Sequence, residues 1–336
     1  MDRRTVFQQI ISDTSGKSQR QLLNEYAKKQ GETYSCFSAA YFRWKRSPKR
    51  MKKDNPKPTA PTNKKSEFAD LKALSKNDNP LNLPKSLEPE HKAFKLPVSH
   101  NDILLISDIH IPYHNIQALT AALKYGMEQG VNTIIINGDL IDFYAVSRFD
   151  KDPRKRNFAN EILSTREFLA TLRELFPTQN IYFKLGNHDI RYEHYIINKA
   201  PDLLGINEFN LESLLHLERY NIVMIPDKQL IHAGKLTILH GHELGKSTFS
   251  PVNVARGLYT RAKDNAICGH SHQTSHHTEP NINGRVVACW SIGCLSELHP
   301  DYAPYNKYNH GFAHIKVFED ETFEVQNFTI INGRVR

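Results

Sequence analysis

From residue 101 onward, short apolar runs alternate with longer stretches of helical periodicity. The runs Ile103–Ile106, Thr133–Ile136, Ile181–Leu185, Leu236–Leu239, Ala266–Cys268 and Arg285–Trp290 are rich in β-branched residues and predict strands. Between the first two, Ile116, Leu119, Leu123 and Met127 share one helical face that Gly130 would end. Between the second and third, Phe158, Ile162, Thr165, Leu169, Leu172 and Phe176 recur at spacings of three and four until Pro177 stops them. The tail from Gly311 reads as two strands joined by a Glu-Asp-Glu turn. Strand–helix–strand repetition of this kind predicts an α/β architecture.

The first hundred residues follow a different pattern. Two short helical stretches, SQRQLLNEYAKK and SCFSAAYFRWKR, flank QGETY, where Gly31 would end the first helix and Ser35 would cap the second. Residues 1–46 therefore form a small helical segment, loosely similar to a helix-turn-helix, with basic and aromatic residues mixed at its end. Residues 47–100 are rich in Pro, Lys, Asn and Thr, cannot bury enough surface to offset ordering entropy, and read as a linker. A third region, 101–336, carries the α/β pattern.

Charge sharpens this division. The whole chain of 336 residues carries +8, but residues 1–95 alone carry +11 and the remainder −3. Arg43, Lys45, Arg46, Lys49 and Arg50 are thus candidate contacts to nucleic-acid phosphates, with a solvated docking helix as the blander reading. No apolar run approaches the roughly 20 residues of a membrane span, and the basic N-terminus lacks the apolar core of a secretory signal. An intracellular, cytoplasmic protein with no membrane partner is expected. Cys36, Cys268, Cys289 and Cys294 form no CxxC pair and read as reduced, buried core residues.

The candidate chemistry sits immediately past the strands. Each of five runs releases a polar cluster: Ser107-Asp108-Ile109-His110, Gly138-Asp139-Leu140-Ile141-Asp142, Gly186-Asn187-His188-Asp189, His240-Gly241-His242 and Gly269-His270-Ser271-His272. The carboxyl edge of an α/β sheet is where ligands bind. Mixed carboxylate, imidazole and amide donors suit borderline divalent ions such as Mn, Fe, Zn or Ni. Two such ions can clamp an in-line displacement at phosphorus and activate water as the nucleophile. A lone Asp or His after a strand is usually a turn or cap residue; five clusters in series are not explained that way.

In this order, D-x-H, G-D-x-x-D, G-N-H-D, H-G-H and G-H-x-H resemble the motifs of the calcineurin-like metallophosphoesterase superfamily over about residues 101–318. The resemblance implies a four-layer αββα sandwich. It implies one metal held by Asp108, His110, Asp139 and His272 and a second by Asp139, Asn187, His240 and His270, with Asp139 bridging. It also implies that His188 faces the phosphate and that Asp142 orients His188. Asp189 either caps the next helix or touches the site. His242 is outer-shell or positional, and His276 and His277 read as surface loop.

Substrate class is read from two departures. Protein phosphatases of the superfamily carry Arg directly after the second Asp of G-D-x-x-D, where this chain has Phe143. A basic stretch follows, and Arg148, Arg154 and Arg156, with Arg191, become candidate substrate contacts. The expected activity is a dinuclear phosphodiesterase or nuclease acting on DNA. A phosphomonoesterase or cyclic-nucleotide phosphodiesterase, or a non-catalytic DNA-binding scaffold, are the alternatives. The order of basic segment, linker and enzyme domain is similar to that of proteins encoded by phages and integrated elements.

Overall fold

The computed structural model describes all residues except 1, 14, 46–78, 80, 85, 89, 151, 153, 155, 156, 246–251 and 302. The chain divides into two units, Met1–Leu87 and Glu88–Arg336. Arg46, Lys49, Arg50 and Arg156 fall outside the described residues.

The first unit contains helices α1 (Arg3–Ser12), α2 (Gln19–Lys29) and α3 (Tyr34–Lys45). Ser18 and Gln21 form a reciprocal capping box at the start of α2, satisfying backbone N–H groups the helix itself leaves open. Gly31, at φ +68°, turns the chain out of α2. The next helix begins at Tyr34, so Ser35 lies inside its first turn and is not the cap expected from sequence. Val6, Phe7, Ile10, Leu22, Leu23, Ala27, Phe37 and Tyr41 form the core of this unit. Cys36 is exposed, unlike the other three cysteines, because α3 turns Phe37 inward beside it.

The second unit is built on two sheets. One has the order β13-β12-β11-β2-β3-β4-β5 and the other β1-β6-β7-β8-β10-β9. Strands β2 (Asp102–Ile106), β3 (Thr133–Asn137), β4 (Asn180–Lys184) and β5 (Ile222–Ile225) are parallel neighbours. In the second sheet β7 (Leu236–Leu239), β8 (Ala266–Cys268) and β10 (Val286–Ser291) are parallel, with β6 (Ile231–Ala233) antiparallel beside β7. The tail forms the hairpin β11 (His310–Val317) and β12 (Phe323–Ile331), plus a short β13 (Arg334–Val335).

Period-two alternation explains the layering. Ile103, Leu105, Ile135 and Tyr182 face Ile231, Leu236, Ile238 and Ile267 in a core between the sheets. Leu104, Ile106, Ile134 and Ile136 face the opposite way, against helices α4 (Ile116–Gln129) and α5 (Phe158–Leu175). On the far side of the second sheet, Leu239, Ala266 and Cys268 meet Val254, Ala255 and Leu258 of the helix Val254–Ala262. The order helix, sheet, sheet, helix is the expected four-layer sandwich.

Three further sequence readings are corrected. Phe94–Lys95, within the stretch read as linker, forms β1 and pairs in parallel with β6. His276 and His277 lie on strand β9 (Ser275–Pro280), where His276 stacks on Trp290 at 5.3 Å. On α4 the buried stripe is Ala118, Leu119, Ala122, Leu123 and Gly126, while Ile116 and Met127 are exposed. Small residues win there because the helix lies close on the sheet: a Cβ on Gly126 would come within 2.7 Å of Leu104 Cδ2.

Glu161 of α5 is buried and its carboxylate accepts the backbone N–H groups of Tyr144 and Ala145. Burial pushes its pKa from 4.5 up to about 7, against the lowering effect of those N–H donors. The unfolded chain sheds this proton first, so stability should fall as pH rises from about 4.5 to about 7. Urea unfolding of the wild type and Glu161→Gln at pH 5 and pH 8 checks this. The expected result is a pH-dependent loss that is clearly smaller in the variant than in the wild type; equal losses in both would locate the slope elsewhere.

Candidate metal centre

The five polar clusters meet because their strands end side by side. Three leave β2, β3 and β4 of one sheet, and two leave β7 and β8 of the other. The turns they form are tight. Asp108, His110, Asp139, His270 and His272 all have φ between +52° and +65°, a left-handed conformation uncommon for side-chain-bearing residues. Surrounding structure must over-determine such backbone, and here it does. Gly186 has no room for a side chain, since a Cβ would sit 2.5 Å from Asp139 N. A Cβ on Gly138 would fall 2.6 Å from His240 Cγ.

Asp108, His110 and His272 offer ligand atoms that all lie within 4.8 Å of one another, and so do Asp139, His240 and His270. Asp139 Oδ2 lies 3.3 Å from His240 Nε2 and 3.7 Å from His110 Nε2, so it reaches both groups. Asn187 Oδ1 sits 3.2 Å from His240 Nε2. All seven residues named from the sequence as candidate ligands are therefore drawn together.

The donor atoms fit a pair of divalent cations. His110 Nδ1 donates to Asp142 Oδ2 at 3.1 Å, which leaves Nε2 with a lone pair facing His272 Nε2 at 3.3 Å. His240 Nδ1 donates to the Asn137 carbonyl at 2.7 Å, and its Nε2 is aimed at the Asp139 and Asn187 oxygens. A hydrogen bond at the remote nitrogen is how a metal-ligating imidazole is usually oriented. Among the described residues Asp108 Oδ1 and His272 Nδ1 are buried with no hydrogen bond, and Asp108 Oδ1 stands 3.2 Å from His272 Nε2. Burial opposes charge on His240, but Asp139 and Asp108 beside it hold its pKa up to about 10, while burial drives His270 down to about 4. Positive charge is thus favoured strongly between Asp139 and Asp108.

His188 and Asp142 lie beside this group. Asp142 Oδ2 is 3.1 Å from both His110 Nδ1 and His188 Nδ1, so one carboxylate orients two imidazoles. Its pKa is held well below the usual range by those two imidazoles, against the effect of burial. Arg191 donates to the Asp142 carbonyl at 2.9 Å and to His188 Nε2 at 2.8 Å. Arg148 lines an adjoining cavity with its guanidinium over the Phe149 ring. Arg154 instead pairs with Asp152 and does not line that cavity, because its neighbour satisfies it locally.

Two supports brace the site, one of them Asp189, whose role the sequence left open, and the other Glu243, which it did not single out. Asp189, fully buried, accepts from the N–H groups of Gly186, Asp139 and Ile141 and so ties the β3 loop to the β4 loop. Burial and the neighbouring Asp139 push its pKa up to about 7. Glu243 accepts from the N–H groups of His240 and Gly241 and pairs with the fully buried Lys184 at 2.8 Å. The available signal was a lysine closing an apolar strand and a glutamate directly after H-G-H. His242, next to it, lines the cavity.

The calcineurin-like phosphoesterase family model matches residues 102–274, half of the chain. The chain belongs to the calcineurin-like phosphoesterase family. Among relatives of this phosphoesterase, the gene 54 protein of Mycobacterium phage L5 is 27% identical over 246 residues, covering 69% of this chain and 94% of that protein. The gene 54 protein of Mycobacterium phage D29 is 28% identical over 214 residues, covering 61% and 82%. Vacuolar protein sorting 29 from Cryptosporidium parvum is a similar solved structure, with 15% identity, 70% of this chain and 94% of that one covered, and a TM-score of 0.39. Phe143, directly after the second Asp of G-D-x-x-D, is buried in a cluster with Phe158 and Tyr192, with ring centroids 5.9 Å and 5.7 Å away. Among the described residues no helix is long and apolar enough to cross a membrane.

Proposed function

We propose that this phosphoesterase hydrolyses phosphodiester bonds of nucleic acid at a dinuclear centre. The reading assigns Asp108, His110, Asp139 and His272 to one divalent cation and Asp139, Asn187, His240 and His270 to the other. The observation that carries it is the shared reach of Asp139 toward both ligand groups, beside an imidazole that is held ready but ligates neither. Bound there, the cations supply Lewis acidity toward phosphoryl oxygens and acidify water.

The protein's own residues do the rest. His188 Nδ1 donates to Asp142, and Arg191, which can only donate, meets His188 Nε2. An incoming phosphate competes for the Arg191 guanidinium, a fork suited to phosphate oxygens. That exchange frees His188 Nε2 to carry a proton, with the Asp142 carboxylate stabilising the imidazolium. The proton then passes to the leaving oxygen as the P–O bond breaks. Manganese is the first cation to try. Hydrolysis of bis(p-nitrophenyl) phosphate at a rate well above the mono-ester supports a diesterase; preference for the mono-ester overturns it.

The nucleic-acid part of the reading draws on the first unit. Helices α2 and α3 are joined by a short turn at Gly31, and α3 exposes Ser35, Ala39, Phe42, Arg43 and Lys45. This resembles a helix-turn-helix whose second helix enters a DNA groove. Duplex binding should weaken steeply with salt, and the Arg43→Glu/Lys45→Glu chain should lose both affinity and part of the salt slope. Binding that is insensitive to salt and to both substitutions removes this unit from the proposal.

A further inference from the structure

The helix α6 (Arg191–Lys199) follows the G-N-H-D motif directly, and its two faces differ. Tyr192 and Ile196, four apart, are buried. Arg191, His194, Tyr195 and Asn198, at offsets of three, four and seven, all line one cavity of about 1100 Å³, and so does Lys199. The helix is pinned from behind, where the Tyr192 hydroxyl donates to the Phe209 carbonyl. The cavity also takes in Asn187 and His270 of the metal centre, so it opens onto the reacting position.

Its chemistry is one-sided. Arg148, Arg191 and Lys199 line it, and among the described residues no aspartate or glutamate does. Two aromatic rings join them, Phe149 at 59% exposure and Tyr195 at 38%. The cavity exceeds the volume of an ordinary small-molecule pocket. Along the helix axis, Arg191 to Lys199 spans about 12 Å, the length of a few nucleotides. Cations spaced along a groove with interleaved aromatic rings match a polynucleotide strand, and a ring can stack only on a base that is not paired.

We infer that the outer face of α6 is the path of an unpaired nucleic-acid strand leading away from the scissile phosphate, with Tyr195 as a stacking platform and Lys199 and Arg148 on flanking phosphates. This rests on the phosphodiesterase reading and adds a substrate class to it. The metal centre would then select the bond, while α6 selects strands over isolated diesters and over duplex.

The test uses the full chain with manganese and two kinds of probe, bis(p-nitrophenyl) phosphate and oligothymidylates of two to eight nucleotides. KM should fall with length over the first few nucleotides. Tyr195→Ala and Lys199→Glu should each raise KM for the eight-mer about tenfold relative to KM for the small diester, with little change in kcat. Tyr195→Phe, which keeps the ring, should restore most of the loss. Equal KM at every length, or an eight-mer KM unmoved in both variants while the small diester is cleaved, overturns the strand path and leaves the phosphodiesterase reading standing. A duplex of the same length with the same KM and the same Tyr195→Ala penalty overturns the assignment to unpaired strands. No hydrolysis of either probe overturns both readings together.

Discussion

Asp139→Asn should lower turnover of a small phosphodiester by about 10²–10³-fold, and the protein should retain less than two equivalents of divalent metal. The side chain barely changes in size, so packing is not the cause. Its Oδ1 accepts the His188 backbone N–H at 2.7 Å, an acceptor role that an amide oxygen can keep. What goes is a full negative charge placed 3.3 Å from His240 Nε2 and 3.7 Å from His110 Nε2, one nitrogen from each ligand group. Metal content after dialysis, measured alongside turnover, tells loss of a shared ligand from a purely catalytic defect. A variant with wild-type turnover and two bound ions would show that Asp139 bridges nothing.

The second large effect concerns stability. Glu243→Ala removes the carboxylate 2.8 Å from the buried Lys184 ammonium and leaves it bonded to the Asp227 carbonyl at 2.7 Å. Removing one member of a buried pair typically costs about 3–5 kcal/mol. The Lys184 ammonium holds the Glu243 pKa down to about 2 against the effect of burial, so the carboxylate is committed to this contact. Chemical unfolding should show the loss in Glu243→Ala and in Lys184→Met. The double variant Lys184→Met/Glu243→Leu should recover much of it, because no charge is then stranded. Activity should not recover with it: the N–H groups of His240 and Gly241 lose their acceptor, and the His240 turn loses its brace. Independent, additive losses in the double variant would mean that the two residues do not act as a pair.

The sequence was legible where one local rule decides. Strands β2, β3, β7 and β8 show as apolar runs, and the donors after them show as motif residues, because ligand chemistry admits few residue types at those places. Helix α4 was readable as a helix but not in its buried face. Its bulky residues Ile116 and Met127 lie outside, and close approach to the sheet at Gly126 is a property of the neighbour, Leu104. Strand β9 was hidden because SHHTEP has no apolar alternation; it is held by antiparallel pairing with β10. Lys184 and Glu243 could not be assigned, and Asp189 was left between cap and site, for a related reason. Each works through a backbone group or a side chain far away in sequence, and no spacing rule announces such a partner. Arg191, read as a candidate substrate contact, lines the cavity, and its guanidinium holds His188 and Asp142, a pairing no spacing rule foretells.

The donors come from two sheets, three loops from one and two from the other, and hydrogen bonds across the seam fix the offset between them. Asn137 Nδ2 donates to the Leu239 carbonyl at 2.8 Å, and Lys184 of β4 reaches Glu243 beyond β7. The centre therefore works like a vernier. A slip of one sheet along the other would misalign every donor at once while each loop kept its own shape. Trimming a methyl group at Ile135 or Ile238, deep in the seam, would then register as a detuned catalyst as well as a less stable protein.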